Sequence, residues 1–383
     1  MDDGDVTQME LRRAEVERYL RERFGDAAPT GEHDITLESV SELGTAPGEV
    51  MDEGVKGFGY GKPYLIRFRD GDREESVVLS TMRVQPGFGH DHFSDRAQVL
   101  LWQHDTFNRL PRHVRALDVG YFTRDGRLYS AGRAEEFFIL MENVTGTEYV
   151  NDLEQIKKND GKLTKLDIER AEALSEYLAR IHKKKHTSPE LYHRKIRDTI
   201  GHGECIMGLT DSYPENLEYI TPQDLCRIEE KCVKWRWKIK NHTERLCMTH
   251  GDFHPYNIIF REGTDFTVLD RSRGEWGEAA DDVSSLTMNY IFYALQTHGA
   301  FTGGFRELFE TFFKRYLEET DDSLLLKVIQ PFFVFRALVV ASPIWYPKIP
   351  PETRKKLFNF IRNILATDKF RPEETTKYLE KEY

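Results

Sequence analysis

Apolar positions recur every three or four residues between Thr7 and Phe24, where Met9, Val16, Tyr19, Leu20 and Phe24 share one helical face. Thr7 with Glu10 forms a capping box at its start, and the segment 25–31, containing Pro29, ends it. This helix (residues 1–28) is expected to pack on the body of the protein. The period then shortens to two. Ile35–Leu43, Lys62–Arg69 and Glu75–Val84 read as strands, the last two joined by the turn Asp70-Gly71-Asp72. A helix follows at about Ser94–Asn108. Two more strands, Leu117–Phe122 and Glu136–Met141, flank the turn Arg124-Asp125-Gly126.

From there the chain changes character. Leu166–His182 carries Ile168, Ala171, Leu174, Leu178 and Ile181 on one helical stripe, and Lys183-Lys184-Lys185 favours its dipole at the C-terminal end. Gln223–His242 reads as a helix in which Trp235 and Trp237 are packing residues. The longest apolar run, Val328–Tyr346, is broken by Pro331, Arg336 and Pro343, which predicts a buried core helix and no membrane span. Arg336 inside it requires a partner, expected to be an acid in the core. A strand-rich first third and a helical remainder predict an α+β fold.

Length and charge narrow the class. A chain of 383 residues allows two to three domain-sized units. A net charge of −11 argues against non-specific nucleic-acid or anionic-membrane partners. The four cysteines form no C-x-x-C pair and read as small buried hydrophobes in a reducing compartment. The first residues are acidic, unlike a signal peptide, so a cytoplasmic protein is expected. His90-Asp91-His92 are adjacent and cannot easily meet one tetrahedral metal, which favours a structural or substrate-side loop.

The chemistry concentrates in His250-Gly251-Asp252-Phe253-His254-Pro255-Tyr256-Asn257, followed by the strand Ile258-Ile259-Phe260, the turn 261–265 and a second strand ending at Asp270. Such a hairpin brings Asp252, Asn257 and Asp270 to one mouth. Two acids and an amide suit a hard cation such as Mg²⁺, with one acid left as a base for a substrate hydroxyl.

This H-G-D-x-H-x-x-N stretch, with an aspartate about a dozen residues on, resembles the aminoglycoside phosphotransferase and choline kinase superfamily, which shares the protein-kinase fold. The resemblance implies Asp252 as catalytic base, Asn257 and Asp270 as magnesium ligands, and His250 and His254 in support. It implies that Asp282, in Gly274–Val283, buttresses the loop. It implies a bilobal fold with an antiparallel-sheet lobe (29–144), a helical lobe (145–383) and the ATP site between them. Glu142, Asn143 and Val144 would then be the hinge whose backbone meets adenine. Residues 186–246 exceed what the core fold needs, which makes them an insertion on the acceptor side.

Two features depart from the pattern. The glycine-dense segment holding Gly57, Gly59 and Gly61 is one residue short of the kinase spacing; it either covers phosphate or simply connects strands. Ser80 stands where the third strand should carry a lysine, and the following helix has no glutamate to pair with it. Positive charge would then come from Arg83, Lys56, Arg271 or Arg273. Glu275, Glu278 and Asp281 near the mouth would suit an aminated or sugar-like acceptor. The expectation is an ATP- and Mg²⁺-dependent phosphotransferase acting on a hydroxyl of a small molecule, without nucleic-acid or membrane partners. The alternatives are a non-catalytic nucleotide-binding pseudokinase, or nucleotidyl transfer on the same fold.

Overall fold

The computed structural model describes residues 11–25, 35–42, 61–82, 84 and 89–382. Chain contacts divide them into two units, with the boundary between Met141 and Glu142. The Thr7–Glu10 capping box, Arg83, Lys56, Gly57 and Gly59 fall outside the described residues.

The first unit is built on a three-stranded antiparallel sheet in the order β1 (Ile35–Glu42), β2 (Gly61–Asp70), β3 (Arg73–Met82). Gly71 takes φ +58° in the β2–β3 turn, a left-handed conformation that glycine adopts without a Cβ penalty. Helix α1 (Arg13–Gly25) covers one face of the sheet. Val16 and Leu20 pack with Ile35, Leu37, Ile66 and Phe68 into a small core of their own. Val77 and Leu79 of β3 lean on that core, so Ser80, one residue on, points to the other face and is exposed. Gly61 opens β2 opposite Met82, and Ser80 lies opposite Pro63.

Helix α2 (Phe93–Phe107) begins at His92, whose Nδ1 accepts the Ser94 N–H while the Asp95 carboxylate accepts the His92 N–H. His92 is thus accounted for by capping, in line with a structural loop. The two strands expected at Leu117–Phe122 and Glu136–Met141 form differently. β4 (Gly120–Phe122) pairs with β5 (Leu128–Ser130), because the chain reverses tightly at Gly126 (φ +80°) and the return arm follows at once. Glu136–Met141 is not a strand. Phe138 and Leu140 are about nine-tenths exposed, and no partner strand lies beside them among the described residues.

The second unit carries the large core. β6 (Thr147–Glu148) leads into α3 (Tyr149–Lys158), then α4 (Lys165–His182). Thr164 and Asp167 cap α4 reciprocally, and Ala171, Leu174 and Leu178 on its stripe are fully buried. Residues 186–246 fold as α5 (Pro189–Gly201), α6 (Ile206–Ser212) and α7 (Pro222–Ile239). Trp235 is buried, its Nε1 donating to Leu365 O at 3.1 Å. Trp237 is not a core residue: it is 61% exposed, with the Lys240 ammonium 3.7 Å from its ring centre. Residues two apart on a helix face different sides, so one face could not hold both.

Four short strands follow: β7 (Cys247–Met248), β8 (Ile258–Phe260), β9 (Phe266–Val268) and β10 (Trp276–Gly277). Helices α8 (Ala279–His298), α9 (Gly303–Thr320), α10 (Leu325–Val328), α11 (Gln330–Ala341), α12 (Pro351–Leu365) and α13 (Thr375–Glu380) complete the chain. α8 is the central rod: from Ala279 to Leu295 every residue but Asp281 is buried. Each fully buried large side chain here contributes about 1.5–3 kcal/mol, which makes this helix a firm support for whatever its first turn holds. Among the described residues Cys205, Cys232 and Cys247 are buried as expected, whereas Cys226 is exposed. No helix of the described residues is long and apolar enough to cross a membrane.

Candidate active site

The loop from Thr249 to Asn257 is closed at its base by two small sheets. β7 pairs antiparallel with β10, Met248 opposite Trp276, which ties the entry of the loop to the chain beyond Asp270. β8 lies between β9 and β6, with Ile258 opposite Val268 and Thr147 opposite Phe260. The β6 partner was not foreseen, since two residues carry no readable period. Gly146 just before it has φ +142°, and a Cβ there would come within 2.5 Å of Phe260 O. Glycine permits this approach.

Asp282, fully buried in the first turn of α8, holds the loop from below. Its Oδ2 accepts the His250 N–H at 2.8 Å and its Oδ1 accepts the Gly251 N–H at 2.7 Å. His182 Nε2 stands 3.1 Å from Oδ2, and His182 Nδ1 is 2.7 Å from the Tyr316 hydroxyl. Burial alone would raise the Asp282 pKa, but the His182 contact and the loop N–H donors outweigh it and hold the carboxyl below its usual range. His250 is shifted down by burial, against the pull of Asp282, which favours a neutral ring. Its Nδ1 accepts the Asp252 N–H at 3.2 Å.

Asp252 presents its carboxylate at the end of this scaffold. Oδ1 accepts from Arg336 Nη1 at 2.5 Å, and Oδ2 is 3.5 Å from His254 Nε2. Burial would raise its pKa; the His254 bond and the Arg336 charge overcome that and hold it well below the ordinary carboxylate range. His254 Nδ1 accepts the Tyr256 N–H, and its Nε2 also lies 3.2 Å from Asn257 Nδ2.

At the open end of the β8–β9 hairpin the Leu269 N–H donates to Asn257 O at 2.8 Å, one residue before Asp270. The Asn257 Nδ2 donates to Asp252 O at 3.0 Å, which leaves its Oδ1 for a ligand. Asp270 is exposed in a left-handed turn (φ +54°), with Oδ1 accepting the Ser272 N–H at 3.2 Å. Aspartate tolerates that conformation better than most residues. Among the described residues no group of three or more His, Cys, Asp or Glu side chains could hold a metal ion. An amide oxygen and a carboxylate are nevertheless a donor set that fits Mg²⁺ shared with a nucleotide's phosphates.

Several expected residues are engaged within the protein. Arg271 donates Nε to Thr249 O and Nη2 to Glu275 O, bridging the two strands at the loop's base. Arg273 lies over the Phe335 ring at 4.8 Å, with Nη1 3.7 Å from Cys205 Sγ. Of the three acids assigned to the mouth, only Glu275 is exposed. Glu278 is buried and receives the Arg245 guanidinium at 2.7 Å and the Tyr192 hydroxyl at 2.8 Å; Asp281 receives Arg336 at 2.7 Å. Both charges are spent inside the protein because burial without a partner would cost several kcal/mol, about 3–5 when a pair is broken. Arg336 therefore meets a core acid as expected, and meets Asp252 as well. Glu142, Asn143 and Val144 lie outside any helix or strand just past the unit boundary, with the first two exposed. Beside the loop, Tyr177, Met248, His250, Leu269, Asp270 and Arg271 line a pocket of about 280 Å³.

No protein-family model and no curated protein matches the sequence. Solved structures do. Among those it is similar to are kinases of small molecules. A Plasmodium vivax ethanolamine kinase is 14% identical, with 95% of this chain and 85% of that one covered and a TM-score of 0.34. An amicoumacin kinase in complex with AMP-PNP and Ca²⁺ is 15% identical, covering 82% and 89%, with a TM-score of 0.41. A glucosamine kinase is 13% identical, covering 93% and 94%, with a TM-score of 0.37. At superpositions this loose, no residue role or substrate passes from those proteins to this chain.

Proposed function

We propose that this protein transfers the γ-phosphoryl group of ATP to a hydroxyl of a small molecule in the cytoplasm. The observation that carries the reading is Asp252: a carboxylate held below its usual pKa range, set on a loop fixed through its own backbone, with Asn257 bonded to that loop and the β8–β9 hairpin leading on to Asp270. Asp252 accepts the proton of the acceptor hydroxyl as its oxygen bonds to the γ-phosphorus and the bond to ADP breaks. Asn257 Oδ1 and Asp270 would hold Mg²⁺, which supplies positive charge to the phosphates when bound. His254 and Asp282 keep the loop and the carboxylate in register. The exposed Glu275 is the one mouth acid left to attract an aminated acceptor.

A second reading, nucleotide binding without turnover, is favoured by Ser80, since β3 carries no lysine and α2 no glutamate. One experiment separates them. The protein is incubated with Mg-ATP and a panel of amino alcohols, amino sugars and aminoglycosides, with products weighed by mass spectrometry. Addition of one phosphate, lost in Asp252→Asn while that variant keeps its Mg-ATP thermal shift, is the expected result. Addition of AMP would replace phosphoryl by nucleotidyl transfer. A Mg-ATP shift with no product on any acceptor would support the non-catalytic reading, and undiminished turnover in Asp252→Asn would sink the assignment of the base.

A further inference from the structure

Arg336 is the one charged residue of α11, in the sequence Gln-Pro-Phe-Phe-Val-Phe-Arg-Ala-Leu-Val-Val-Ala, and it is 6% exposed. A guanidinium in so apolar a helix is costly unless each face of it is matched. Three oxygens match its two terminal nitrogens, while Nε is buried with no hydrogen-bond partner among the described residues. Nη1 donates to Asp252 Oδ1 at 2.5 Å; Nη2 donates to Asp281 Oδ1 at 2.7 Å and to Gly251 O at 3.0 Å. The Phe335 ring lies 4.4 Å from the guanidinium carbon. A well-packed apolar side chain in place of such a cluster is often as stable or more so, so stability alone is a weak account of it.

The geometry offers a better one. The planar fork grips the loop twice, by the Asp252 side chain and by the backbone one residue before it, and anchors both to α8 through Asp281. A single ammonium could not span these positions with the same directions. We infer that Arg336 is a positioning residue for phosphoryl transfer: it pins Asp252 by Oδ1 and leaves Oδ2, on the side of His254, as the oxygen that receives the acceptor's proton. The inference rests on the phosphotransferase reading. The step itself is balanced by the acceptor and nucleotide: the O–H proton moves to Oδ2, the acceptor oxygen forms its bond to the γ-phosphorus, and ADP leaves with the electrons of the broken P–O bond. Arg336 gives up no proton. Without it the carboxylate turns among its rotamers, and the reacting oxygen is misplaced.

The test measures Mg-ATP hydrolysis, with water in place of the unidentified acceptor, for wild type, Asp252→Asn, Arg336→Lys and Asp281→Asn. Thermal unfolding and the Mg-ATP thermal shift are recorded for each. Arg336→Lys keeps the charge and loses the fork; its kcat is expected to fall by about 10²-fold while KM for ATP stays within about twofold. Asp281→Asn keeps the contact to Asp252 and loosens its anchor, with a smaller fall in kcat and the same KM. A folded Arg336→Lys with wild-type kcat overturns the inference, as does a fall confined to KM. If Arg336→Lys does not fold, a wild-type kcat in Asp281→Asn overturns it; if neither variant folds, the cluster is a structural tie and the inference is overturned likewise. Failure of the underlying reading looks different: wild type hydrolyses no Mg-ATP, or Asp252→Asn hydrolyses it equally well, and the inference falls with it.

Discussion

Asp282 accepts the backbone N–H of Gly251 at 2.7 Å, and with its other oxygen the N–H of His250. Two consecutive amides of the loop thus end on one carboxylate that has no solvent exposure. In Asp282→Ala both donors are left buried without an acceptor, at about 1–3 kcal/mol each. The urea midpoint is expected to drop clearly, with turnover lost even where the variant folds. A midpoint equal to wild type would show that the loop does not depend on this contact.

A second carboxylate, partly buried, lends itself to a pH experiment. Asp322 receives Arg245 through two bonds, at 2.8 and 2.9 Å. Burial pushes its pKa up, but the Arg245 bond and charge prevail and hold it below the usual value. A carboxyl with a depressed folded pKa stabilises the fold above its unfolded pKa, near 4, and loses that contribution as pH falls through the folded value. The stability gap between wild type and Asp322→Asn should therefore be widest at neutral pH and close below about pH 4. Urea titrations at several pH values measure it; a gap unchanged down to pH 3 would refute the assignment.

Gly146 and Gly263 both have positive φ, at +142° and +61°, yet they predict different costs. A Cβ at Gly146 would meet Phe260 O at 2.5 Å and Ile259 Cγ2 at 2.6 Å, whereas none of the described atoms lies within 4 Å of one at Gly263. Gly263→Ala should cost about 1–2 kcal/mol from conformation alone. Gly146→Ala adds a backbone collision and should cost more, unseating β6 from β8. Differential scanning calorimetry of the two variants gives the order, and a reversed order would contradict the strand pairing.

The two tryptophans of α7 make a second contrast. Trp235→Ala empties a buried site and breaks a bond to Leu365 O, for about 3–5 kcal/mol. Trp237→Ala removes an exposed ring and its Lys240 contact, worth about 0.5–1 kcal/mol. Equal losses in chemical denaturation would mean the helix is turned differently from its described orientation.

How much of this could be read from the chain varies with sequence distance. The hairpin of β8 and β9 was legible because its turn and both strands lie within about a dozen residues and the loop motif frames them. Glu136–Met141 was misread because an unbroken apolar run has no period to tell a paired strand from an unpaired segment. The faces of Trp235 and Trp237 were available from their spacing alone. The fates of Glu278, Asp281 and Arg336 were not. Each depends on a partner brought in by packing, and Arg336 reaches Asp252 across 84 residues and Asp281 across 55. Composition showed that Arg336 needs an acid, and only the fold shows which.

That separation has a consequence for chain synthesis and for shortened chains. The motif is complete once residue 257 has been made, but its carboxylate is gripped only after α11 has been made and has settled against α8. A fragment ending before residue 336 would keep every residue of the motif and leave Asp252 with no guanidinium to hold it, so carrying the motif and having an assembled centre are separate properties of this protein.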